Sequence, residues 1–314
     1  MSAFAYTSQH TFLKCPPLQS GHCFAIAGLA WDGAVTHRPG ARFGPGAIRL
    51  ASHMLCDGTH PWFDVNLHGA LGDTGDLPLP NTSLDACRAA LHPQALSLLR
   101  QHHVAWLGGD HSLTLGLLRA YREAHGRPLG VIHFDAHCDT WSDHFGEPSG
   151  HGTWVSEAIA QELVDPKFMV QIGIRSAAER EAREFVADRG GMVFTARALR
   201  GLVSTQQLAP IIDAVRERLT TKDAPALYLS LDIDCLDPAY APGTGTPEPG
   251  GLSTAQVLSL IEAWSELPFV GMDCVETAPP YDHAELTSQA AAHLVWTYLC
   301  GQRRRLQGAG PTAD

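Results

Sequence analysis

The feature that most constrains this chain is where its acidic and imidazole side chains fall. Short apolar runs of β-like composition alternate with stretches of helical spacing, and four of the runs lead straight into Asp, His or Glu. Val104–Leu107 leads into Gly108-Gly109-Asp110-His111-Ser112, and Gly130–Phe134 into Asp135-Ala136-His137-Cys138-Asp139. Leu227–Leu231 leads into Asp232-Ile233-Asp234, and Phe269–Val275 into Glu276. Strands that alternate with helices build a mainly parallel sheet covered on both faces. In such open sheets ligands bind at the carboxyl ends of the strands. The pattern therefore predicts that four strands deliver carboxylates and imidazoles to one edge of one sheet.

Further strands are expected at Phe24–Leu29, Phe168–Ile174 and Met192–Phe194, making about seven or eight in all. Helices are expected at Gly44–Leu55, Leu84–Gln101, Ser112–Glu123, Trp154–Leu163, Ala177–Asp188, Thr205–Leu219, Ser253–Glu266 and His283–Cys300, with Ser253 as a cap. No break in composition divides the 314 residues, so one catalytic domain is expected, with the tail beyond Gly301, Arg303-Arg304-Arg305 included, frayed. A 45% hydrophobic content argues against disorder. No apolar run approaches the ~18–20 residues that span a bilayer. The formal charge of −11 lacks the basic footprint of a nucleic-acid binder and suits a cationic substrate. Eight dispersed cysteines without a CxxC pair, and an N-terminus without a leader pattern, point to a reduced, cytoplasmic protein.

Within the clusters the spacing carries chemistry. Asp135, His137 and Asp139 alternate, as do Asp232 and Asp234, so an extended backbone would aim each set one way. His111 makes a sixth group. A lone DxH or DxD is usually a turn or a cap, but here the pattern recurs at three strand ends. So many carboxylates crowded together repel one another unless cations intervene. Two divalent ions resolve the conflict, and an oxygen-rich set with two imidazoles suits Mn²⁺. A pair of ions about 3.5–4 Å apart can share a bridging hydroxide, a nucleophile available at neutral pH.

These residues carry a resemblance. GGDHS at 108–112, FDAHCDT at 134–140 and SLDIDCLDPAYAPGTGTPEPGG at 230–251 resemble the three signatures of the ureohydrolase family, which comprises arginases, agmatinases and related amidinohydrolases. The likeness runs from about Gly28 to about Ala292. It implies an arginase-type three-layer α/β/α fold with two Mn²⁺ ions held by His111, Asp135, His137, Asp139, Asp232 and Asp234. It also implies a homo-oligomer, a trimer or a pair of trimers.

The segment Glu147-Pro148-Ser149-Gly150-His151-Gly152-Thr153 lacks the Asn of the arginase loop and is similar to agmatinases, as are the stretches 36–49, 163–176 and 271–285. Trp154-Val155-Ser156 departs from the Arg-containing stretch of many relatives and is expected to shape the outer pocket. His151 is read as positioning the leaving amine or moving its proton, and Asp139 as relaying that proton. Glu276 is read as gripping a guanidinium bidentately, Thr246 as lining the pocket, and Asp110 as orienting a metal-bound imidazole. Cys138 is expected to pack, and His102, His103, His133 and His144 are given no role. Arg38, Arg42 and Arg49 are open between structural and interface roles. The implied reaction is hydrolysis of agmatine to putrescine and urea. The alternatives are a guanidino-acid hydrolase acting on 4-guanidinobutanoate or a similar acid, an arginase, a formimidoylglutamase, and a non-catalytic metabolite-binding relative.

Overall fold

A computed structural model of the chain describes residues 10–308. Eight strands form one sheet: β1 (Phe24–Gly28), β2 (Leu71–Asp76), β3 (His103–Leu107), β4 (Leu129–Phe134), β5 (Val164–Ile174), β6 (Met192–Thr195), β7 (Leu227–Asp232) and β8 (Phe269–Val275). Their order is β2-β1-β3-β8-β7-β4-β5-β6, and every pairing is parallel. The helices are α1 (Gly44–Ala51), α2 (Leu84–Leu99), α3 (Thr114–His125), α4 (Trp154–Ala160), α5 (Arg180–Arg183), α6 (Ala196–Leu199), α7 (Thr205–Leu219), α8 (Thr254–Ala263) and α9 (Leu286–Leu306). Strands buried on both faces explain the near-continuous apolar runs. One core packs α1, α7, α8 and α9 on one face, through Phe24, Ile26, Leu107 and Ile132. The other packs α2, α3 and α4 on the opposite face, through Ala25, Ala27, Trp106 and Val131. This is the three-layer arrangement expected.

The strand order places the chemistry. β3, β8, β7 and β4 are four consecutive central strands, and they are the four whose carboxyl ends carry His111, Glu276, Asp232 and Asp135.

Several expectations need correction. The sequence reading missed β2, whose LGDTGD run is short of β-branched and aromatic residues. Tertiary contacts hold it at the sheet's edge: Arg49, fully buried on α1, donates from Nε and Nη2 to the two oxygens of Asp73 at 2.9 Å each and also pairs with Asp76. Arg49 is therefore structural. The expected helix at 177–188 is only α5 plus a 3₁₀ turn at Ala187–Arg189. The last helix runs on to Leu306, so Arg303, Arg304 and Arg305 form its final turn, where their charge complements the helix dipole. The expected fraying starts too early, and residues 309–314 lie outside those described. No helix among the described residues is long and apolar enough to cross a membrane.

Candidate metal centre and its pocket

The six residues singled out as ligands converge at the carboxyl edge of the four central strands. His111 Nδ1 lies 3.1 Å from Asp135 Oδ2, 3.3 Å from Asp139 Oδ2 and 3.0 Å from Asp232 Oδ2. His137 Nδ1 lies 3.2 Å from Asp135 Oδ1 and 3.0 Å from Asp234 Oδ2. Two donor groups result, sharing Asp135.

The route to this convergence differs from the expected one. β4 ends at Phe134 and β7 at Asp232, so no extended backbone carries the alternation. The chain turns instead. Asp135 Oδ1 accepts the backbone N–H of His137 at 2.6 Å, and Asp232 Oδ1 that of Asp234 at 2.8 Å. Asp139 stands in the left-handed region, φ 53°, a conformation that costs a non-glycine residue free energy and clusters at functional sites. Gly109 lets the β3 turn close, because a Cβ there would sit 1.7 Å from the Trp31 carbonyl oxygen.

The electrostatics call for cations. Burial, then repulsion from Asp135, raises the Asp139 carboxyl well above its usual range. Burial, then Asp234 and Asp135, does the same to Asp232. Burial opposes charge on His111, but Asp135 and Asp232 outweigh it and raise that imidazole's pKa well above normal. Divalent ions held among these groups would relieve the same repulsion. The donor set of hard carboxylate oxygens and imidazoles fits two such ions.

The supporting layer corrects the sequence reading. Asp110 does not touch the His111 ring; it accepts from the backbone N–H groups of Ala34 and Ser112 and from the Ser112 hydroxyl. The His111 ring is oriented by Ser230, whose Oγ lies 2.8 Å from Nε2 and donates to Asp273 Oδ1 at 2.8 Å. That chain puts a proton on Nε2 and leaves Nδ1 for a cation. His133, given no role on sequence grounds, is fully buried with Nε2 2.7 Å from Asp135 Oδ2. Gln171 Nε2 donates to the Cys138 carbonyl at 2.8 Å and to His133 Nδ1 at 3.1 Å, so His133 carries its proton on Nε2 and donates it to Asp135. Cys138 itself packs with Ile174 and Ala182. One signal could have found Ser230: it lies two residues before Asp232 on β7, hence on the same face, and His133 stands likewise two residues before Asp135 at the end of β4.

A cavity of about 450 Å³ opens beside the donors, lined by His111, His137, Asp139 and Asp232 at its floor and by His151 and Thr246 on its walls. His151 Nδ1 lies 3.0 Å from Glu276 Oε1, and its Nε2 lies 2.9 Å from Thr36 Oγ1. Burial opposes its charge, but Glu276 raises its pKa to about 9. Glu276 is fully buried at φ 63°; its Oε1 also accepts the His111 N–H at 2.9 Å, while Oε2 has no partner. Thr246 Oγ1 donates to Asp234 Oδ2 at 3.3 Å. Trp154 is not part of the outer pocket: it is fully buried beneath the donors, and Trp141, Asp143, His144 and Phe145 form the rim.

A parallel sheet with a carboxylate-and-imidazole cluster beside a cavity fits a metal-dependent hydrolase. The arginase family model matches residues 22–301, and the chain belongs to that family. An agmatinase of Chromobacterium violaceum is 41% identical over 284 residues, 90% of this chain and 84% of that protein. Proclavaminate amidinohydrolase of Streptomyces clavuligerus is 37% identical, covering 96% of each chain. The crystal structure of a hypothetical agmatinase from Burkholderia thailandensis superposes with a TM-score of 0.86 at 35% identity, over 95% of this chain and 92% of that one. The chain is an agmatinase-like ureohydrolase, a hydrolase of linear amidines.

Proposed function

We propose that this enzyme, as one catalytic domain, hydrolyses agmatine to putrescine and urea. The observation that carries the reading is Glu276 Oε2, a fully buried carboxylate oxygen with no partner beside the donor cluster. An oxygen so placed suits a guanidinium N–H, since a buried acceptor left unpaired costs about 1–3 kcal/mol. Gly245 keeps the loop at 243–246 close, because a Cβ there would stand 3.3 Å from that oxygen.

His111, Asp135, Asp139 and Asp232 would hold one ion, and Asp135, His137 and Asp234 the other. Two Mn²⁺ ions, when bound, would supply hydroxide from water at neutral pH and the positive charge that steadies the tetrahedral carbon. Glu276 holds the planar cation in line for attack at its carbon. The C–N bond to the alkyl nitrogen then breaks, and Asp139 passes a proton to the leaving amine with His151 assisting. The eight unpaired cysteines support a reduced, cytoplasmic setting. The likeness to the family supports assembly as a trimer or a pair of trimers.

The rim supports a cationic tail. Among the described residues that line the cavity none is Lys or Arg, and Asp143 is exposed at its mouth. A guanidino acid would ask for the opposite charge there. The test is urea release by the Mn²⁺-loaded protein from agmatine, arginine and 4-guanidinobutanoate. The expected result is the highest kcat/KM with agmatine. A preference for 4-guanidinobutanoate would overturn the substrate, and no release from any of the three would overturn the activity.

A further inference from the structure

Trp154, the first residue of α4, does not sit at the outer pocket but beneath the donor cluster. Its indole Nε1–H donates to Asp139 Oδ2 at 2.7 Å. That same oxygen lies 3.3 Å from His111 Nδ1. The next residue grips Asp139 again, Val155 N–H donating to its carbonyl oxygen at 3.0 Å. Asp139 is thus clamped at side chain and backbone by the first turn of α4, in the left-handed conformation at φ 53°. The indole ring also packs 5.0 Å from the His111 ring and 4.9 Å from the His133 ring, centroid to centroid.

This geometry has one consequence. Of the carboxylates in the two donor groups, Asp139 is the one whose orienting donor is an indole. Asp135 is oriented by His133 and by the His137 N–H. Asp234 is held by the Ala136 N–H and Thr246, and Asp232 accepts the Asp234 N–H. The contact from Trp154 therefore falls on one donor group and not on the other. Asp139 belongs with His111 and Asp135 and is absent from the group formed by Asp135, His137 and Asp234.

We propose that Trp154 is a positioning residue that presents Asp139 to one of the two ions, and that its N–H sets the retention of that ion selectively. The proposal rests on the reading that the cluster holds two divalent ions. An indole N–H is a neutral donor that neither titrates nor ligates, so it fixes the carboxylate without competing for the cation.

The experiment follows binding of Mn²⁺ alone, with free ion read by its electron paramagnetic resonance signal, and thermal unfolding as a check on folding. Three proteins are compared: wild type, Trp154→Phe, and a protein carrying β-(3-benzothienyl)alanine at position 154, which keeps the bicyclic shape but replaces N–H with sulfur. Both altered proteins are expected to lose about 10–100-fold in affinity for one ion while the other stays within about twofold. Equal weakening of both ions, or none in the benzothienyl protein, overturns the proposal and leaves a packing role. Should Trp154→Phe fail to fold, the benzothienyl protein decides alone. Fewer than two Mn²⁺ bound by the wild type overturns the two-ion reading, and this inference with it.

Discussion

Two regions of the molecule bury carboxylates, and they neutralise them in different ways. At the sheet's edge, Asp73 and Asp76 meet the guanidinium of Arg49, a permanent cation supplied by α1. At the carboxyl end of the central strands, Asp135, Asp139, Asp232 and Asp234 meet His111, His133 and His137. A guanidinium stays charged at any ordinary pH and cannot leave. Imidazoles can give up their protons and turn a lone pair to an incoming ion. The first region is closed and complete. The second carries groups that can trade protons for metal ions, and the difference separates a structural ion pair from a candidate site for chemistry.

Substitutions can break the comparison from either side. Asp234→Asn is expected to have the largest effect, with loss of bound Mn²⁺ by elemental analysis and a fall in urea release of about three orders of magnitude or more. A variant with full activity would show that the cluster is no metal site. Glu276→Gln is expected to keep both ions but lower kcat by about 10²–10³-fold. A modest rise in KM alone would remove Glu276 from the reaction. Arg49→Met should remove the cation that pairs with the buried Asp73, at a cost of about 3–5 kcal/mol. Denaturant unfolding should show that loss, while activity per folded molecule stays near wild type. Little change in stability would place the two regions in one class.

Smaller effects sharpen the contrast. The His151 pKa in the folded chain, about 9, lies above the unfolded value. A raised pKa means the stabilisation is complete below about 6.5 and is lost as pH rises through about 9. The melting temperature of the metal-free protein should therefore fall by about 5 °C between pH 7 and pH 10. His151→Asn should make that slope shallower, with His111 and His137 supplying what remains, whereas the Arg49 pair, charged throughout, should leave it alone. An equal slope in both proteins would contradict the assignment. Asp143→Asn, on the exposed rim, should raise KM for agmatine a few-fold with uncharged alkylguanidines unaffected. Equal change for both would deny the rim a part in reading the tail.

Much of this was legible because strand ends and chemistry coincide in the chain. The apolar runs marked seven of the eight strands, and the polar clusters behind four of them marked the site. The eighth strand was not legible, because LGDTGD becomes a strand only when β1 pairs with it and Arg49 binds its aspartates. The orientation of His111 was not legible either. It depends on Ser230 of β7 and Asp273 of β8, neighbours across the sheet but 43 residues apart in the chain. Trp154 misled for a like reason: proximity to His151 in sequence suggested the rim, but the first turn of α4 folds it under Asp139.

By itself the sequence determined which residue types were available and at which strand ends they would emerge, because burial forces apolar periodicity and polar residues follow where strands leave the core. Tertiary structure alone decided which atoms face one another. The strand order brought β3, β8, β7 and β4 side by side. The left-handed turns at Asp139 and Glu276 set their carboxylates. The closed packing left Glu276 Oε2 without a partner. Such contacts span residues far apart in the chain, and no local preference encodes them.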